Sequence, residues 1–461
     1  MIEYYLKYNL KNRESNIKKL IFEMEKILKI EEIELEETKK KFYDEVRYIL
    51  TEQEHAYLCN LIFTINKHKN ENTFLKKYIK PQKKEKNKFN FADLFAGCGG
   101  LSLGIENAGF NAVFINEIDE VFAETHYFNN NIPIENYFVE DINEVISNFS
   151  RIEKLCTNLD LVCGGPPCQG FSMANRQRLI DDPRNNLYKS YLKFLQKTMP
   201  KFFIMENVKG MENKIDEILE NFQDYLKNKY DIHYAVLNAK DFGVPQNRER
   251  LFIIGNRIGV SSIGIFDEIK KEEIQKKYVL KDALDGLPDL KPKRFKNKNN
   301  IENEDIGFYI TNQKKHEIEY INYINNSRKI KYLFNHKNRY NNERDIEIYT
   351  KLPQGENSLH PSIKDIMPYS SRNHMFKDKY YKLDEKKICK TITSHMKFDC
   401  NMYIHPTQPR GLSAREASRV QTFPDDFLIR GSQNKWYAQV GNAVPVKLAE
   451  IIGKHIIKHL C

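Results

Sequence analysis

The stretch DLVCGGPPCQGFS at 160–172 contains the residue with the most distinctive chemistry. Its apolar start predicts a buried strand that ends in two glycines, after which Pro166 and Pro167 stiffen an extended loop that holds Cys168. Ligands of open α/β sheets bind at the carboxyl ends of the strands, and a thiol there can be activated as a thiolate. We therefore predict Cys168 as a nucleophile, with a structural role as the alternative. Cys163, within the strand, is better explained as an inert core thiol.

Two further stretches could supply a proton and a cation. FFIMENV places Glu206 at the end of another apolar run, where burial would raise the pKa of the carboxyl and let it hold or donate a proton. PQNRERLFIIG places Arg248 and Arg250 at the mouth of a further strand, where a guanidinium can contact a carbonyl or phosphate oxygen. The alternative for both arginines is a surface ion pair with Glu249 or another acid. The predicted catalytic set is Cys168, Glu206, Arg250 and Arg248.

A glycine-rich turn offers a cofactor site. FADLFAGCGGLSLGIENAGF at 91–110 has the pattern of a strand, a turn and a helix. Gly97, Gly99 and Gly100 would let the backbone approach a ligand closely at the start of the helix. The turn lacks the lysine of a phosphate-binding loop and departs from the dinucleotide pattern G-x-G-x-x-G. A tight turn without a ligand is the alternative.

Acidic residues follow this turn at regular intervals. Glu117 and Asp119 stand at the end of the next strand, roughly 20 positions after the glycines, where a carboxylate can accept from two ribose hydroxyls. Asp141 follows the next apolar stretch, where it could accept from an adenine amino group. Each acid could instead be an exposed charge at a strand end. Their order and spacing favour an adenosyl ligand without a pyrophosphate.

The elements that must position these residues alternate between strands and helices from Phe89 to about Arg257. The apolar runs FADLF, AVFIN, DLVCG, FFIME, YAVLN and LFIIG are separated by stretches with helical periodicity. This alternation predicts an α/β fold, a mostly parallel sheet with helices on both faces. LAEIIGKHIIKHL at 448–460 predicts a further amphipathic helix.

The flanking regions have a different texture. Residues 1 to about 80 have helical periodicity and end in the basic stretch PQKKEKNKFN, whereas 257–400 is irregular and carries an excess of about +8 charges. The latter predicts a smaller, irregular domain with exposed basic loops. We predict four parts: a helical extension with a linker (1–88), a catalytic domain (89–257), a recognition domain (258–400) and a segment that returns to the catalytic domain (401–461).

Composition limits the class of protein. The chain has 461 residues, 41% of them hydrophobic, and a formal net charge of +10, which is compatible with a polyanionic partner. No apolar run reaches the roughly 18 to 20 residues that a bilayer span needs, and no secretory signal is seen. Eight cysteines include no CxxC pair, which disfavours a zinc ribbon. We expect a reduced, soluble, cytoplasmic monomer without a metal.

A thiolate, a protonatable carboxyl, an arginine and an adenosyl pocket together suit one reaction. Cytosine C5 is a poor nucleophile, but addition of Cys168 to C6 would make C5 an enamine carbon that can accept a methyl group. Glu206 at ring N3 would neutralise the developing charge, and Arg250 would hold O2. The base must leave the duplex stack for such an attack.

The chain resembles the bacterial DNA (cytosine-5) methyltransferases. The matching stretches are DLFAGCGGLSLG, GGPPCQGFS, MENV, QNRERLFIIG, GLSAREASRVQTFPDDF and QVGNAVPVKLAEIIGKHI, which stand in the family's order between about 90 and 460. The resemblance implies a Rossmann-like S-adenosylmethionine-dependent fold without a metal, and a flipped cytosine of double-stranded DNA as substrate. It also implies Cys168 as covalent nucleophile, Glu206 and Arg250 as the N3 and O2 contacts, and a role in a restriction-modification system. The sequence leaves open whether a cognate endonuclease exists as a functional partner.

The resemblance also implies a donor site and a base-closing loop. Gln169 and Ser172 match the loop that closes over the target base. Ser413 replaces the family's usual threonine, and 1–88 match nothing in the family's core. The predicted donor-binding residues are Phe95, Gly97, Gly99, Gly100, Leu101, Glu117, Ile118, Asp141, Ile142, Gly165, Pro167, Leu187, Asn442 and Val444.

Three other functions stay open at this point. An amino-group methyltransferase would share the sheet and the cofactor, but Gly165-Pro166-Pro167-Cys168 lacks the acid or amide and the aromatic ring of its catalytic loop. A tRNA cytosine-5 methyltransferase would use the same catalytic set, although the long basic insert favours DNA. A non-catalytic DNA-binding protein on the same scaffold would not need intact Cys168, Glu206 and Arg250.

Overall fold

The computed structural model describes residues 88–130, 132–133, 136–167, 187–272, 274, 276–294, 307–311, 317–368 and 379–461. The N-terminal extension up to position 87 and the predicted site residues Cys168, Gln169 and Ser172 lie outside the described residues. The described parts of Lys83–Ile132 and Phe138–Cys461 belong to one compact unit.

Strands and helices alternate through the first half of the described chain. The strands are β1 (Phe89–Leu94), β2 (Phe110–Asn116), β3 (Tyr137–Phe138), β4 (Leu161–Gly164), β5 (Phe202–Val208), β6 (Asp231–Asn238), β7 (Gln246–Asn247), β8 (Glu249–Asn256), β9 (Tyr309–Ile310), β10 (Tyr332–Leu333) and β11 (Cys389–Lys390). The helices are α1 (Gly100–Ala108), α2 (Glu120–Asn129), α3 (Ile142–Ser147), α4 (Leu187–Thr198), α5 (Ile215–Leu226), α6 (Ser262–Lys271), α7 (Leu280–Leu284), α8 (Glu319–Ile324), α9 (Glu343–Lys351), α10 (Ala414–Val420), α11 (Gln433–Asn442) and α12 (Val446–Lys458).

Seven strands form one sheet in the order β3-β2-β1-β4-β5-β8-β6. β1 pairs in parallel with β2 and with β4, and β4 pairs in parallel with β5. The chain leaves β1 towards β2 on one side and returns to β4 on the other. Such a reversal of strand order leaves a crevice outside the carboxyl ends of the two central strands, where ligands bind in folds of this class.

β8 runs antiparallel to both of its neighbours, β5 and β6. The connection from β6 to β8 is too short for a parallel crossover, so the two strands form a hairpin-like pair. This register sets Arg250 opposite Val208, at the end of β5 that carries Glu206. The reversed strand therefore brings its first residues to the carboxyl ends of the parallel strands.

Both faces of the sheet are covered by helices. On one face, Phe91 of β1 and Ile204 of β5 share a buried cluster with Ile105 of α1 and Ile452 of α12. On the other face, rings of the sheet pack against rings of α4 and α5, with Phe114 against Phe194 (5.4 Å between centroids) and Phe203 against Phe222 (5.1 Å). The predicted α/β fold, mostly parallel with helices on both faces, is confirmed.

The C-terminal helix α12 packs tightly on α1, as small residues allow. A Cβ atom at Gly104 of α1 would lie 2.4 Å from the Cβ of Ala449, and one at Gly453 of α12 would lie 2.7 Å from the Cβ of Ala108. The helix predicted at 448–460 is thus present as Val446–Lys458. Its close approach to α1 places the segment just before it beside the glycine turn.

The region predicted as a recognition domain has short elements between α6 and the segment that follows β11. Part of it shares a buried cluster with the C-terminal segment, including Tyr320, Ile392 and Met396 together with Val420 and Tyr437. The division into domains at 257 and 400 stays a prediction. Within the described residues, no helix is long and apolar enough to cross a membrane.

Candidate functional site

A cavity of about 590 Å³ lies at the carboxyl ends of β1, β4 and β5. Loops that follow four neighbouring strands contribute to its wall, together with the segment before α12. The structure brings many of the predicted site residues together around this space. They are Phe95, Gly97, Gly100, Leu101, Glu117, Ile118, Gly165, Pro167, Glu206, Arg250, Asn442 and Val444.

The glycine turn after β1 needs its glycines for two different reasons. Gly97 has a φ of +58°, and a Cβ atom there would meet nothing within 4 Å, so its backbone faces open space in the cavity. Gly99, with a φ of +92°, packs instead against the ring of His126, which a Cβ atom would approach to 2.6 Å. A Cβ atom at Gly100 would lie 2.5 Å from the carbonyl oxygen of Val444. Of these three glycines, only Gly97 therefore has open space beside its Cα that a ligand could enter.

Glu117 is fixed beside this turn by two backbone N–H groups. Gly97 N donates to Glu117 Oε2 and Asp119 N donates to Oε1, each at 2.8 Å. Burial raises the pKa of Glu117, and these two hydrogen bonds oppose the rise. Each carboxylate oxygen keeps acceptor capacity for a hydroxyl donor. Next to it, the apolar side chain of Ile118 is 66% exposed on the cavity wall.

Glu206 and Arg250 form an ion pair in the cavity wall. Arg250 Nε lies 3.0 Å from Glu206 Oε1, and both side chains are largely buried. Burial raises the pKa of Glu206, although the positive charge of Arg250 opposes the rise. Arg250 does not form the alternative ion pair with the carboxylate of Glu249. Its Nη1 donates to the backbone carbonyl of Glu249 at 2.8 Å, and the carboxylate of Glu249 pairs with Lys209 instead.

The loop after β4 is attached to the end of β5. Asn207 Nδ2 donates to the carbonyl oxygen of Pro166 at 3.0 Å, and both partners are buried in the cavity wall. A Cβ atom at Gly165 would lie 3.0 Å from Glu206 Oε2, so glycine allows the loop to pass close to the carboxyl group. Pro167, the residue before Cys168 in the chain, lines the cavity.

Comparison with known proteins identifies the family. Residues 89–458 match the model of the family described as C-5 cytosine-specific DNA methylase. This match covers most of the chain. The chain belongs to this family. It is a DNA (cytosine-5) methyltransferase, and the resemblance predicted from its motifs is confirmed.

Individual members of the family are similar over most of their length. The chain is 33% identical over 370 residues to Type II methyltransferase M.FnuDI of Fusobacterium nucleatum, covering 79% of this chain and 92% of that protein. It is 30% identical over 391 residues to Type II methyltransferase M.DdeI of Desulfomicrobium norvegicum, covering 80% and 88%. A crystal structure of a candidate DNA modification methyltransferase encoded within a prophage of E. coli has a TM-score of 0.61 and 26% identity, covering 81% of this chain and 99% of that one.

Arg248 of this methyltransferase is not among the described residues that line the cavity. Its guanidinium is fully buried and donates to three backbone carbonyls: Nη1 to Ile392 O (2.7 Å), and Nη2 to Gly441 O (3.2 Å) and Ala443 O (2.9 Å). These bonds direct Nη1 and Nη2 of the guanidinium to backbone carbonyls, and the direct catalytic contact that we predicted for Arg248 stays a prediction. The side chain holds two distant segments of the cavity wall in place.

Four predicted donor-binding residues are not among the described residues that line the cavity: Gly99, Asp141, Ile142 and Leu187. Asp141 caps α3, where it accepts from Asn143 N at 2.7 Å, and is exposed. Asn116, the last residue of β2, donates to Glu140 O at 2.9 Å and so holds the start of this turn at the same sheet edge. Contact of these four residues with the donor stays a prediction.

A buried polar chain behind the glycine turn was missed by the sequence reasoning. Asp93 of β1 lines the cavity and accepts from the Ser102 hydroxyl, whose oxygen lies 2.9 Å from His126 Nε2. Burial raises the pKa of Asp93 to about 7. The acid stands in the DLFAG motif, but its partners come from α1 and α2, which spacing alone does not bring together.

A second group of lining residues comes from the predicted recognition region. Ser394, His395, Lys397 and Phe398 belong to a turn after β11 and line the cavity. The turn is packed against α11, where a Cβ atom at Gly441 would lie 2.2 Å from Ser394 N. No motif marked these residues, because the segment is irregular in sequence.

The cavity fits the adenosyl donor that the family and fold imply. It has the size of a site for a small organic ligand, an acceptor for hydroxyl groups in Glu117, and apolar surface in Phe95 and Ile118. At Gly97 the open backbone leaves room for a ligand to approach. Among the described residues, no group of three or more His, Cys, Asp or Glu is arranged to hold a metal ion.

Proposed function

We propose that this enzyme methylates C5 of a flipped-out cytosine in a specific sequence of double-stranded DNA, with S-adenosylmethionine as donor. Its role would be that of the modification enzyme in a Type II restriction-modification system, as the names of its relatives indicate for those proteins. The observation that carries the proposal is the Glu206–Arg250 pair beside Pro167 in one cavity with the glycine turn.

The donor would lie along the carboxyl ends of β1 and β2, where it supplies the methyl group when bound. Glu117 would accept from the ribose hydroxyls, since its carboxylate is already held by Gly97 and Asp119. Ile118 would cover an apolar face of the adenosine with its exposed side chain. Asn442 and Val444 would close the opposite wall, where Arg248 holds the neighbouring carbonyls.

Glu206 would act on the target base as a proton donor. Burial raises its pKa, so the protonated carboxyl can donate to ring N3 and neutralise charge that develops on the ring. Arg250 would donate to O2 with the N–H groups not used by Glu206 and by the Glu249 carbonyl. Together the contacts at N3 and O2 would fix the position of the base in the cavity.

Cys168 would supply the covalent step, a role that rests on its motif and on the family. Its thiolate would add to C6 of the cytosine, and the ring would take a proton from Glu206 at N3. C5 then has enamine character and accepts the methyl group. Loss of the proton from C5 to solvent, return of the N3 proton to Glu206 and cleavage of the C6–S bond would then restore the aromatic ring and release the thiolate. Gln169 and Ser172 would close over the base.

The test is methylome sequencing of DNA from cells that express the wild-type chain or the Cys168→Ala variant. We expect 5-methylcytosine in a fixed sequence context with the wild type and none with the variant. Cys461→Ala, which removes an exposed thiol, should leave the methylation unchanged. N4-methylcytosine, N6-methyladenine or methylation of tRNA alone would overturn the proposal.

A further inference from the structure

Asp93 is a buried carboxyl in the cavity wall with one unused acceptor. It is 1% exposed and lies near the carboxyl end of β1, between Ile115 of β2 and Cys163 of β4. Its Oδ2 accepts from the Ser102 hydroxyl, whereas Oδ1 has no hydrogen-bond partner among the described residues. The thiol of Cys163, a weak donor, is a further neighbour of the carboxyl. Because buried polar atoms are nearly always hydrogen-bonded, a free acceptor in a cavity wall indicates a place for an N–H or O–H group of a ligand.

A chain of hydrogen bonds fixes how Asp93 is bonded. Asn130 Nδ2 donates to the backbone carbonyl of His126 at 2.8 Å and lies 3.1 Å from His126 Nδ1. Since an amide nitrogen donates and does not accept, Nδ1 of the ring accepts and the neutral ring carries its proton on Nε2. Nε2 lies 2.9 Å from Ser102 Oγ and donates to it, and the hydroxyl in turn donates to Asp93. Asp93 is thus the accepting end of the chain.

The side chains of this chain lie beneath the glycine turn, between two helices. Ser102 of α1 and His126 of α2 are both fully buried. The imidazole ring packs against Gly99, where a Cβ atom would approach it to 2.6 Å. Oδ2 of Asp93 is therefore held from the side of the helices. Because Asp93 also lines the cavity, Oδ1 is the oxygen left for a group that binds there.

The charges around Asp93 favour a cation. Burial raises the pKa of Asp93 to about 7, and the negative charge of Glu117 adds to the rise. A buried acid beside a second acid is stabilised as a carboxylate when a cation binds to it. A further buried acceptor, Oε1 of Gln439, has no partner among the described residues and belongs to a side chain that lines the same cavity.

The place of Asp93 in the sheet matches one end of the methyl donor. Glu117, which we assigned to the ribose, follows β2, and Gly165 and Pro167 follow β4, with β1 between these two strands. A methyl donor that reaches from Glu117 towards the loop after β4 would carry its amino-acid part past Asp93. The α-ammonium group of that part is a cation with three N–H groups, which suits a free carboxylate oxygen.

We propose that Asp93 binds the α-ammonium group of S-adenosylmethionine through Oδ1, and that Ser102 and His126 are positioning residues that hold Asp93 for this contact. The inference rests on the proposed function, because it takes S-adenosylmethionine as the methyl donor. Without the proton on Nε2 of His126, the Ser102 hydroxyl loses the partner that directs its own proton to Oδ2. The carboxyl of Asp93 would then be free to turn away from the ammonium group.

The test is isothermal titration of the whole chain with two ligands, S-adenosylhomocysteine and its analogue in which a hydrogen replaces the α-amino group. The wild type should bind S-adenosylhomocysteine about tenfold more tightly than the analogue. Asp93→Asn should bind S-adenosylhomocysteine about tenfold more weakly than the wild type does and lose most of the preference. Equal affinity of the wild type for both ligands, which needs no variant to observe, would overturn the inference. So would an equal weakening of both ligands by Asp93→Asn.

Variants of His126 test the positioning role. His126→Leu removes the Nε2 donor and should weaken S-adenosylhomocysteine about fivefold with little effect on the analogue. His126→Gln keeps an N–H group for Ser102 and should restore most of the affinity. Glu117→Gln serves as the contrast, because both ligands contain the ribose and should be weakened by the same factor.

Two further results decide what fails. The positioning role is wrong if His126→Leu weakens both ligands alike, or if His126→Gln binds no better than His126→Leu. If the wild type binds neither ligand, the proposed function fails instead, since the chain would then lack the site for S-adenosylmethionine.

Discussion

Two carboxyl groups that pair with a guanidinium in this protein have pKa values shifted in opposite directions. Glu206 and Arg250 lie in the cavity wall, whereas Glu416 and Arg410 lie within the C-terminal segment, both buried. The pKa of Glu206 is raised above its usual value, and the pKa of Glu416 is held well below it. Burial acts in the same direction on both, so the difference must come from the groups that solvate the carboxylates.

The number of hydrogen bonds separates the two. Glu416 accepts from Arg410 Nη1 and Nη2 at 2.7 and 2.6 Å and from Ser413 N at 2.6 Å, with His405 nearby. Glu206 has Arg250 Nε at 3.0 Å as its direct partner. Bidentate contact and an added backbone donor more than offset burial for Glu416, but a single contact does not for Glu206. A buried carboxyl that is left short of donors is available to a substrate.

The largest effect should follow from changing Glu206, the carboxyl with a single direct donor. Glu206→Gln keeps the shape but removes the proton that N3 of the base would take, so kcat should fall by about 10²-fold or more. The melting temperature should change less than in Glu416→Gln, because Glu206 has one direct donor and Glu416 has three. Methyl incorporation and thermal denaturation would measure the two. Glu220→Gln, exposed on α5, serves as control; a fully active Glu206→Gln enzyme would contradict the assignment.

Changing Glu416, whose carboxylate accepts three hydrogen bonds, should lower the stability of the protein and leave the catalytic rate unchanged. Glu416→Gln leaves Arg410 buried beside a neutral partner, and the free energy of unfolding should fall by about 3 kcal/mol. Urea denaturation measures the loss, while kcat per folded molecule should stay close to the wild type. Glu347→Gln, which breaks an exposed pair with Lys351, should cost about 0.5 kcal/mol or less. Equal stability of the Glu416 and Glu347 variants would remove the contrast.

Glu117 extends the comparison to a buried carboxyl with two backbone donors and a raised pKa. Glu117→Gln removes a charged acceptor for the ribose, so binding of the donor should weaken about tenfold. Isothermal titration with the donor product, S-adenosylhomocysteine, measures this effect. Glu120→Gln, an exposed residue at the start of α2, should bind like the wild type. Unchanged affinity of Glu117→Gln would show that this acid does not contact the donor.

The smallest effect is the pH dependence of stability. Because the folded pKa of Glu416 is lowered, its contribution is present above the unfolded pKa of about 4.3 and is lost as the pH falls towards the folded pKa. The raised pKa of Glu206 gives the opposite sign, with a contribution present at low pH that is lost as the pH rises through the folded pKa. The free energy of unfolding of the wild type should therefore fall as the pH drops below about 4.3. In Glu416→Gln this fall should be less steep, by up to about 1.4 kcal/mol per pH unit. The same slope in variant and wild type would contradict this account.

The sequence alone predicts the parts of the site that lie in short motifs at strand ends. Gly97 and Glu117 follow strands, Glu206 lies near the end of β5 and Arg250 near the start of β8. Parallel strands bring their carboxyl ends to one edge, and the antiparallel β8 starts at that edge. The alternation of apolar runs likewise predicts the sheet and its helices, because each run is long enough to be buried.

The rest of the site depends on contacts between distant segments. Arg248 bonds to Gly441, 193 positions along the chain, and this direction of the side chain cannot be read from the motif QNRER. The turn with Phe398 lies in an irregular region whose position is set by Arg339 and α11. Spacing does not encode such contacts, so these residues emerge only from the structure.

The covalent role of Cys168 is the central claim, and trapping tests it most directly. A duplex that carries 5-fluorocytosine at the target position blocks the loss of the C5 substituent, so the enzyme should remain bonded to the DNA through C6 after methyl transfer. With S-adenosylmethionine present, we predict a denaturant-resistant protein–DNA species for the wild type and for Cys461→Ala, and none for Cys168→Ala. An active wild-type enzyme that forms no such species, or a species that persists in Cys168→Ala, would contradict the account.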